Sequence, residues 1–473
     1  MAGVIDGITG VNSGLPITNM VTAIVNAEKA PKEAQLARLE KSTTTKFSAL
    51  GELKSALSAF QTAMKDLNSA TLFETRTAVS SNISTLTASA SKTATSGTYK
   101  IEVQSLATAS KVATAAVASG FSSGASDETL TVRLGASDTG TAVTIAAGSD
   151  LASTRDQLNA ALKDQGISAT IVNNPLNGES RLVFSATETG AGKDVIVAGT
   201  GNLSALDVDG SIALSAGNAS SAGYIVQAAN AEFTVDGLPL SSATNKVSGA
   251  IADVEFELLA KTEVDKPITL TVGQDSAGVK ASVKTFVDAY NKLIATSNRL
   301  TSVTKVGEDG APLVGGLVGD STVRSLLSGV RNELVNPSGQ DGVRMLVDLG
   351  ITTQKDGTLK IDDTKLDSAL QDNFDAVGAF FTGDTGLMSR VDKRIDGFIQ
   401  TGGILEQRMK ALESTRSDIK TQTENLNRRV EQMQSRLLAQ FNAMDALVGQ
   451  LKSTGDQLAQ VFANLPGVVR KDS

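Results

Sequence analysis

LEQRMKALESTRSDIKTQTENLNRRVEQMQSRLLAQFNAMDALVGQLKSTGDQLAQV, residues 405–461, decides how this chain folds. Read in heptads, its d positions are Leu405, Leu412, Ile419, Leu426, Met433, Gln440, Leu447, Thr454 and Val461. Its a positions are Met409, Arg416, Thr423, Val430, Leu437, Met444, Leu451 and Leu458. Thirteen of these seventeen are apolar, and no proline interrupts the run. A 3.5-residue apolar repeat keeps one narrow seam facing a partner, the signature of a coiled coil. A helix of this length, roughly 85 Å at 1.5 Å per residue, needs a partner to cover it.

The other end of the chain supplies one. From Leu36 to Leu67 the a positions are Leu36, Thr43, Leu50, Leu57 and Met64, and the d positions are Leu39, Lys46, Leu53, Phe60 and Leu67. Upstream, Ile17, Val21 and Ile24 form a shorter amphipathic stretch in another phase, expected to end near Pro31. Residues 1–15 are aperiodic and expected to be disordered alone. Lys46, Arg416, Thr423 and Gln440 interrupt the seams. Such residues either fix register or mark exposed turns. An ordinary intramolecular helix bundle is the alternative for the middle of the seam, while its far end outruns the N-terminal helix.

With 473 residues, the chain has room for three or four domains of ordinary size, about 100–200 residues each. It contains no cysteine, histidine or tryptophan. Thiolate and imidazole catalysis, His/Cys metal sites and disulfides are thereby excluded. A net charge of −8 argues against a nucleic-acid partner. The N-terminus lacks a basic n-region and apolar core, so no Sec-type signal is expected. No stretch is long and apolar enough for a membrane span.

Between the heptad ends, composition shifts to Ser, Thr, Ala, Val and Gly with period-2 alternation. Strands are predicted at 99–103, 130–134, 142–145, 169–171, 181–184, 232–235, 254–258 and 268–272. Asp150 caps a predicted helix from Leu151 to Leu162 that ends at Gly166. Residues 199–221 read as a loop or linker, and Asp236-Gly237 as a hairpin turn. Helices are predicted at 279–299, from the Asp320-Ser321 cap to Leu334, and from Asp362 or Asp363 to Leu370. Asp356-Gly357 reads as a turn, with Phe374, Val377, Phe380 and Phe381 as a core. The fold class is multidomain α+β. The expected division is 1–35 with 431–473 as terminal helical segments, partly disordered before assembly, and 36–77 with 275–430 as a helical domain. A β-rich domain of 78–118 with 222–274 carries an inserted α+β domain, 119–221.

Other motifs weaken on inspection. Thr187–Lys193 lacks the first glycine and final Ser/Thr of a phosphate loop. Asp207-Val208-Asp209-Gly210 lacks the twelfth-position Glu of a calcium loop. Asp362-Asp363 reads as a helix cap before it reads as an acid–base pair. Arg428-Arg429 reads as a solvated helix face. No catalytic, cofactor or metal residue is assigned.

Ser13-Gly14-Leu15, Met20-Val21, Ile24-Val25, Glu28, Pro31 and Leu36 form an ordered N-terminal pattern. Ser96-Gly97-Thr98-Tyr99-Lys100-Ile101 with Leu106-Ala107 enters the β region, and Ala228-Ala229-Asn230-Ala231 with Phe233-Thr234-Val235-Asp236-Gly237 returns to it. Gly278-Val279, Phe286-Val287, Ala289-Tyr290-Asn291, Leu317, Gly319-Asp320-Ser321, Leu349-Gly350-Ile351-Thr352, Asp356-Gly357-Thr358-Leu359 and Phe380-Phe381-Thr382-Gly383 follow. In this order and spacing, framed by two heptad ends, the chain resembles the flagellar hook-associated protein 2 family, the filament caps.

The resemblance implies a non-enzymatic protein without cofactor. It implies export through the flagellar type III system without a cleaved signal, and an extracellular ring-like homo-oligomer at the distal filament tip. There it would guide exported flagellin into the filament and prevent its loss. The helical termini would form a leg, with Val21, Ile24, Val25, Met444, Leu447, Leu451, Leu458 and Val461 facing the filament, and the β domains a head. Further implied partners are hook–filament junction proteins, an export chaperone and, for some members, host mucin. The alternatives are another axial flagellar protein (flagellin or a junction protein) and a surface adhesin that binds mucin glycans through the head.

Overall fold

The computed structural model describes residues 10–263, 265–304, 312–338 and 342–464. It divides into two compact units, Met1–Ala70 with Ala277–Ser473, and Thr71–Ser276. In chain order, α1 (Ile17–Leu67) and the short α2 (Ala70–Glu74) precede β1 (Arg76–Ser80), β2 (Leu86–Ala90), β3 (Gly97–Ser105) and β4 (Ala109–Ala113). Then come β5 (Glu128–Leu134), β6 (Thr141–Ile145), α3 (Leu151–Leu162), β7 (Ile167–Asn173), β8 (Ser180–Thr189), β9 (Val195–Gly199), β10 (Val208–Asp209) and β11 (Gly223–Val226). β12 (Ala231–Val235), β13 (Leu238–Ser242), β14 (Lys246–Ile251), β15 (Val254–Leu258) and β16 (Ile268–Gln274) end this unit's strands. Helix resumes with α4 (Ser276–Thr301), followed by β17 (Val303–Thr304), β18 (Leu313–Val314), α5 (Ser321–Val335), β19 (Ile351–Thr353) and β20 (Leu359–Ile361). The chain continues through α6 (Asp363–Asp372), α7 (Phe374–Phe381), α8 (Leu387–Ile399) and α9 (Ile404–Ala463).

In the β unit, a five-stranded antiparallel sheet, β1-β16-β3-β12-β13, faces a three-stranded one, β14-β15-β2. Alternation explains the pairing of faces: Val254, Phe256 and Leu258 point inward from β15, while Glu255 and Glu257 point to water. Phe233 and Phe256 meet edge to face across this core, centroids 5.7 Å apart. Asp236 (φ 50°) and Gly237 (φ 81°) both take left-handed backbone and join β12 to β13 in a two-residue hairpin.

A second core lies between two further four-stranded sheets, β10-β9-β5-β6 and β11-β4-β8-β7, with α3 packed on it. The Asp150 carboxylate accepts from the Ser153 amide at 2.7 Å, and Gly166 (φ 66°) ends the helical segment. The expected cuts at 118/119 and 221/222 isolate β4 and β11, yet β4 pairs with both β8 and β11 inside this sheet. Residues 199–221 are not merely a linker. Leu203, Leu206 and Val208 are buried in this core, and the Glu128 carboxylate pins their turn by accepting from the Asn202 and Leu203 amides.

The helical unit corrects the N-terminal boundary. α1 does not end near Pro31 but runs on to Leu67. Pro31 faces solvent, where water can satisfy the carbonyl that a proline leaves unpaired. Val25 and Leu36, both buried, hold the helix on either side of it. Toward the C-terminal end of α1, Phe60 packs on Phe286 and Tyr290 of α4, with centroids 5.6 and 5.7 Å away. Asn291 grips the β19–β20 hairpin: its side chain donates to the Leu359 carbonyl at 2.8 Å and accepts from the Leu359 amide at 2.7 Å.

α9 is tied to this bundle by charge. Arg408 reaches both carboxylate oxygens of Asp320, at 3.0 and 2.5 Å, while Asp320 also caps α5 through the Thr322 and Val323 amides. Burial opposes ionisation of Asp320, but the Arg408 guanidinium and the two amides outweigh it and hold its pKa below the usual carboxylate range. A depressed carboxylate stabilises the fold above its unfolded pKa, and that contribution is lost as pH falls through the folded value. Asp320→Asn should therefore destabilise the protein at pH 7, and the gap to wild type should narrow on titration below about pH 4. Denaturant unfolding across that range checks this. Phe60→Ala should cost about 3–5 kcal/mol by the same measurement, because it empties the junction of two helices.

Candidate assembly surface

The two long helices run antiparallel, with the start of α1 beside the Val430–Phe441 section of α9. At the opposite end of the pair, α1 buries more than an a/d seam. Leu50, Leu53, Leu57, Phe60, Met64 and Leu67 are buried, and so are Ala49, Ala56 and Ala63, which occupy a third heptad position. A stripe that broad is the packing face of a globular bundle rather than a narrow two-helix seam. Leu36 and Thr43 stay on the stripe, but Leu39 is 44% exposed. A 3.6-residue helix drifts off a strict seven-residue repeat, which carries Leu39 to the edge.

On α9, Leu405 and Ile419 are buried, while Met409, Leu412, Leu426, Val430, Met433 and Leu437 are half-buried. The seam interruptions have separate explanations. The Arg416 guanidinium stacks over the Phe47 ring, 5.5 Å from its centroid. Thr423 donates to the Ile419 carbonyl of its own helix, and Lys46 and Gln440 face solvent.

Near the N-terminus, Ile17, Val21 and Val25 form a buried cluster on α9 against Val430, Met433, Leu437, Leu438 and Phe441. Val21 and Val25, expected to face another molecule, are thus covered by this chain, and Ile24 alone of the three is exposed. Residues 10–15 do not lie loose as expected. They form a turn against α9, where Asn12 and Ser13 donate to Asp445. Residues 1–9 lie outside the described residues. This turn and Phe441 escaped sequence reasoning. The turn has no period to read, and Asp445 looks like an ordinary polar position.

Beyond Phe441 the apolar positions of α9 are exposed among the described residues. Met444, Leu447, Leu451, Leu458 and Val461 are exposed, as are Val448 and Phe462, which the heptad reading omitted. Leu451, Phe462 and Val461 are 65%, 63% and 59% exposed, values that an isolated apolar stripe keeps only until something covers it. The stripe continues the line of the covered seam.

The other motifs are occupied by local structure. Lys193 pairs with Glu188 at 3.0 Å in the turn that resembles a phosphate loop. Asp207 accepts from the Gly199 amide, and Asp209 accepts from the Ser211 amide and hydroxyl. The Ser211 hydroxyl and amide lower the pKa of Asp209. Asp362 caps α6, while Asp363 pairs with Lys280 and Lys284. Arg428 bonds to Asn425 on the exposed face. Among the described residues there is no group of three or more carboxylates placed to hold a metal ion, and no helix long and apolar enough to cross a membrane.

Long helices from both ends of the chain, packed together and enclosing two β-rich cores in sequence, define a multidomain α+β protein. Family models agree: "Flagellar hook-associated protein 2 N-terminus" matches residues 13–110, "Flagellar hook-associated protein 2 C-terminus" matches 228–453, and "Flagellin hook IN motif" matches 129–188. The A-type flagellar hook-associated protein 2 of Pseudomonas aeruginosa is 54% identical over 472 residues, 98% of each chain. Flagellar hook-associated protein 2 of Escherichia coli K12 is 31% identical, over 96% of this chain and 97% of that one. The crystal structure of the flagellar cap protein FliD D1-D2-D3 domains from Escherichia coli superposes with a TM-score of 0.56 at 31% identity, covering 77% of this chain and 99% of that one. The chain belongs to the flagellar hook-associated protein 2 family, the structural flagellar cap proteins.

The stripe is exposed to solvent among the described residues, so a polar substitution there should leave the described fold intact. Leu451→Ser should change unfolding free energy by no more than about 0.5 kcal/mol. A larger loss in denaturant titration would mean that the stripe is packed in the free protein.

Proposed function

We propose that this chain caps the distal tip of the bacterial flagellar filament, where it promotes insertion of exported flagellin and prevents its loss. The observation that carries the reading is the exposed stripe from Met444 to Phe462, continuous with a seam that the described residues cover as far as Asp445. Family membership supplies the setting, and the stripe supplies a surface that needs a partner helix. Burial of one Leu, Met or Phe side chain contributes about 1.5–3 kcal/mol. Several such residues hold firmly together while each contact breaks alone, as suits a cap that admits one subunit after another. We read the assembled cap as a ring of copies of this chain, with flagellin as the neighbour it handles. Absence of cysteine suits passage of an unfolded chain through a narrow export channel, since no disulfide can form on the way.

Two experiments test the reading. Gold-labelled antibody against the chain, viewed on intact filaments, should mark the distal tip. Label along the shaft or at the proximal end would replace it with a flagellin or junction role. A chain truncated after Gln432 should be secreted but fail to retain flagellin on filaments, and normal filament growth with that truncation would overturn the anchoring role of the stripe.

A further inference from the structure

Three side chains of α9 are buried: Leu405, Ile419 and Asp445. The third is an acid, four residues past Phe441, where apolar cover ends and the exposed stripe begins. Its carboxylate is engaged by one short turn. Ser13 donates to Oδ1 through its amide at 2.8 Å and its hydroxyl at 2.5 Å. Asn12 donates to Oδ2 through its amide and its side-chain amide, both at 3.3 Å, and the side chain also reaches the Asp445 carbonyl at 3.3 Å. The turn closes on itself, with Gly14 donating to the Gly10 carbonyl at 2.8 Å and Gly10 to the Leu15 carbonyl at 2.9 Å.

The fit leaves no slack on either side. A Cβ at Gly10 would fall inside the van der Waals radius of Asp445 Oδ1, and one at Gly449 would fall against the Asn12 side chain. Hydrogen bonds to one carboxylate are directional, whereas apolar contacts between helices slide by a turn at little cost. A lock of this kind therefore fixes the register that the three-residue cluster of Ile17, Val21 and Val25 leaves free.

We propose that the turn of residues 10–15, held on Asp445, is an end stop of the covered seam: it sets the register of α1 on α9 and closes the Val430–Phe441 face to any other helix. A helix that docks on this chain then meets α9 only along the stripe beyond the stop. The lock rests on contacts within the chain; only the identity of what docks beyond it rests on the cap reading.

The purified full-length protein tests the lock without filaments. The chain has no cysteine, so Leu438→Cys places a unique thiol in the covered cluster. Its labelling by a maleimide dye should be slow in the parent and about tenfold or more faster with Asp445→Ala. Alanine favours helix more than aspartate does, so α9 itself is not weakened. Gly10→Ala, which displaces the turn from the other side, should match it. Asp445→Asn keeps one acceptor oxygen and should fall between the two. A thiol at Ala56, deep in the bundle, should label at the parent rate throughout. Labelling of Leu438→Cys that stays within about twofold in either Asp445→Ala or Gly10→Ala would overturn the proposal. So would equal acceleration at Ala56, which would make Asp445 a residue of global stability.

Discussion

Two amphipathic helices, one from each end of the chain, must bury their apolar faces against something. Neither helix is stable by propensity alone at such length in water, and most of its stability comes from the face it buries. α1 and α9 meet this requirement along most of their shared length. The pairing also sets the order of everything else. Whatever lies between residues 67 and 404 leaves from one member of the pair and comes back to the other, so the β unit is an insertion within a helical unit closed by its own termini.

The pair changes character along its length. Around Phe60 it belongs to a bundle with α4, with aromatic packing and small alanines that let helices approach. Around Ile419 and Arg416 it is a two-helix section with polar neighbours and a cation–π contact in place of an apolar knob. Around Val21 and Phe441 a small apolar cluster resumes, and a carboxylate closes it. Beyond that the apolar positions of α9 are exposed among the described residues. The apolar positions of α9 are most exposed toward its C-terminal end.

Much of this was legible in the sequence because local chemistry and tertiary fold agree. Asp150 and Gly166 bracket their helix in both, Asp236-Gly237 makes its turn, and the stripe of α4 from Val283 to Ile294 is buried as its period implies. The heptads located both long helices and the exposed stripe. The misses share a physical cause: each depends on a contact across the fold rather than on a local pattern. Pro31 is tolerated because it faces solvent and has anchors on both sides. Leu203 and Leu206 sit among small polar residues, and their core is supplied by strands distant in sequence. The turn at Asn12 and Ser13 has no periodicity, and its partner lies more than 430 residues away.

The nesting has a consequence for how such proteins diversify. β1 and β16, the first and last strands of the β unit, are hydrogen-bonded neighbours, with Arg76 opposite Gln274. The inner module repeats the arrangement, since β4 and β11 pair with Ala113 opposite Gly223. Each module therefore leaves and re-enters its host through adjacent strands, about 5 Å apart. Such a junction is a splice point: a module of any size can be exchanged there, provided its own ends lie side by side, and the host keeps its core. The inserted modules can thus be exchanged while the paired helices are left as they are.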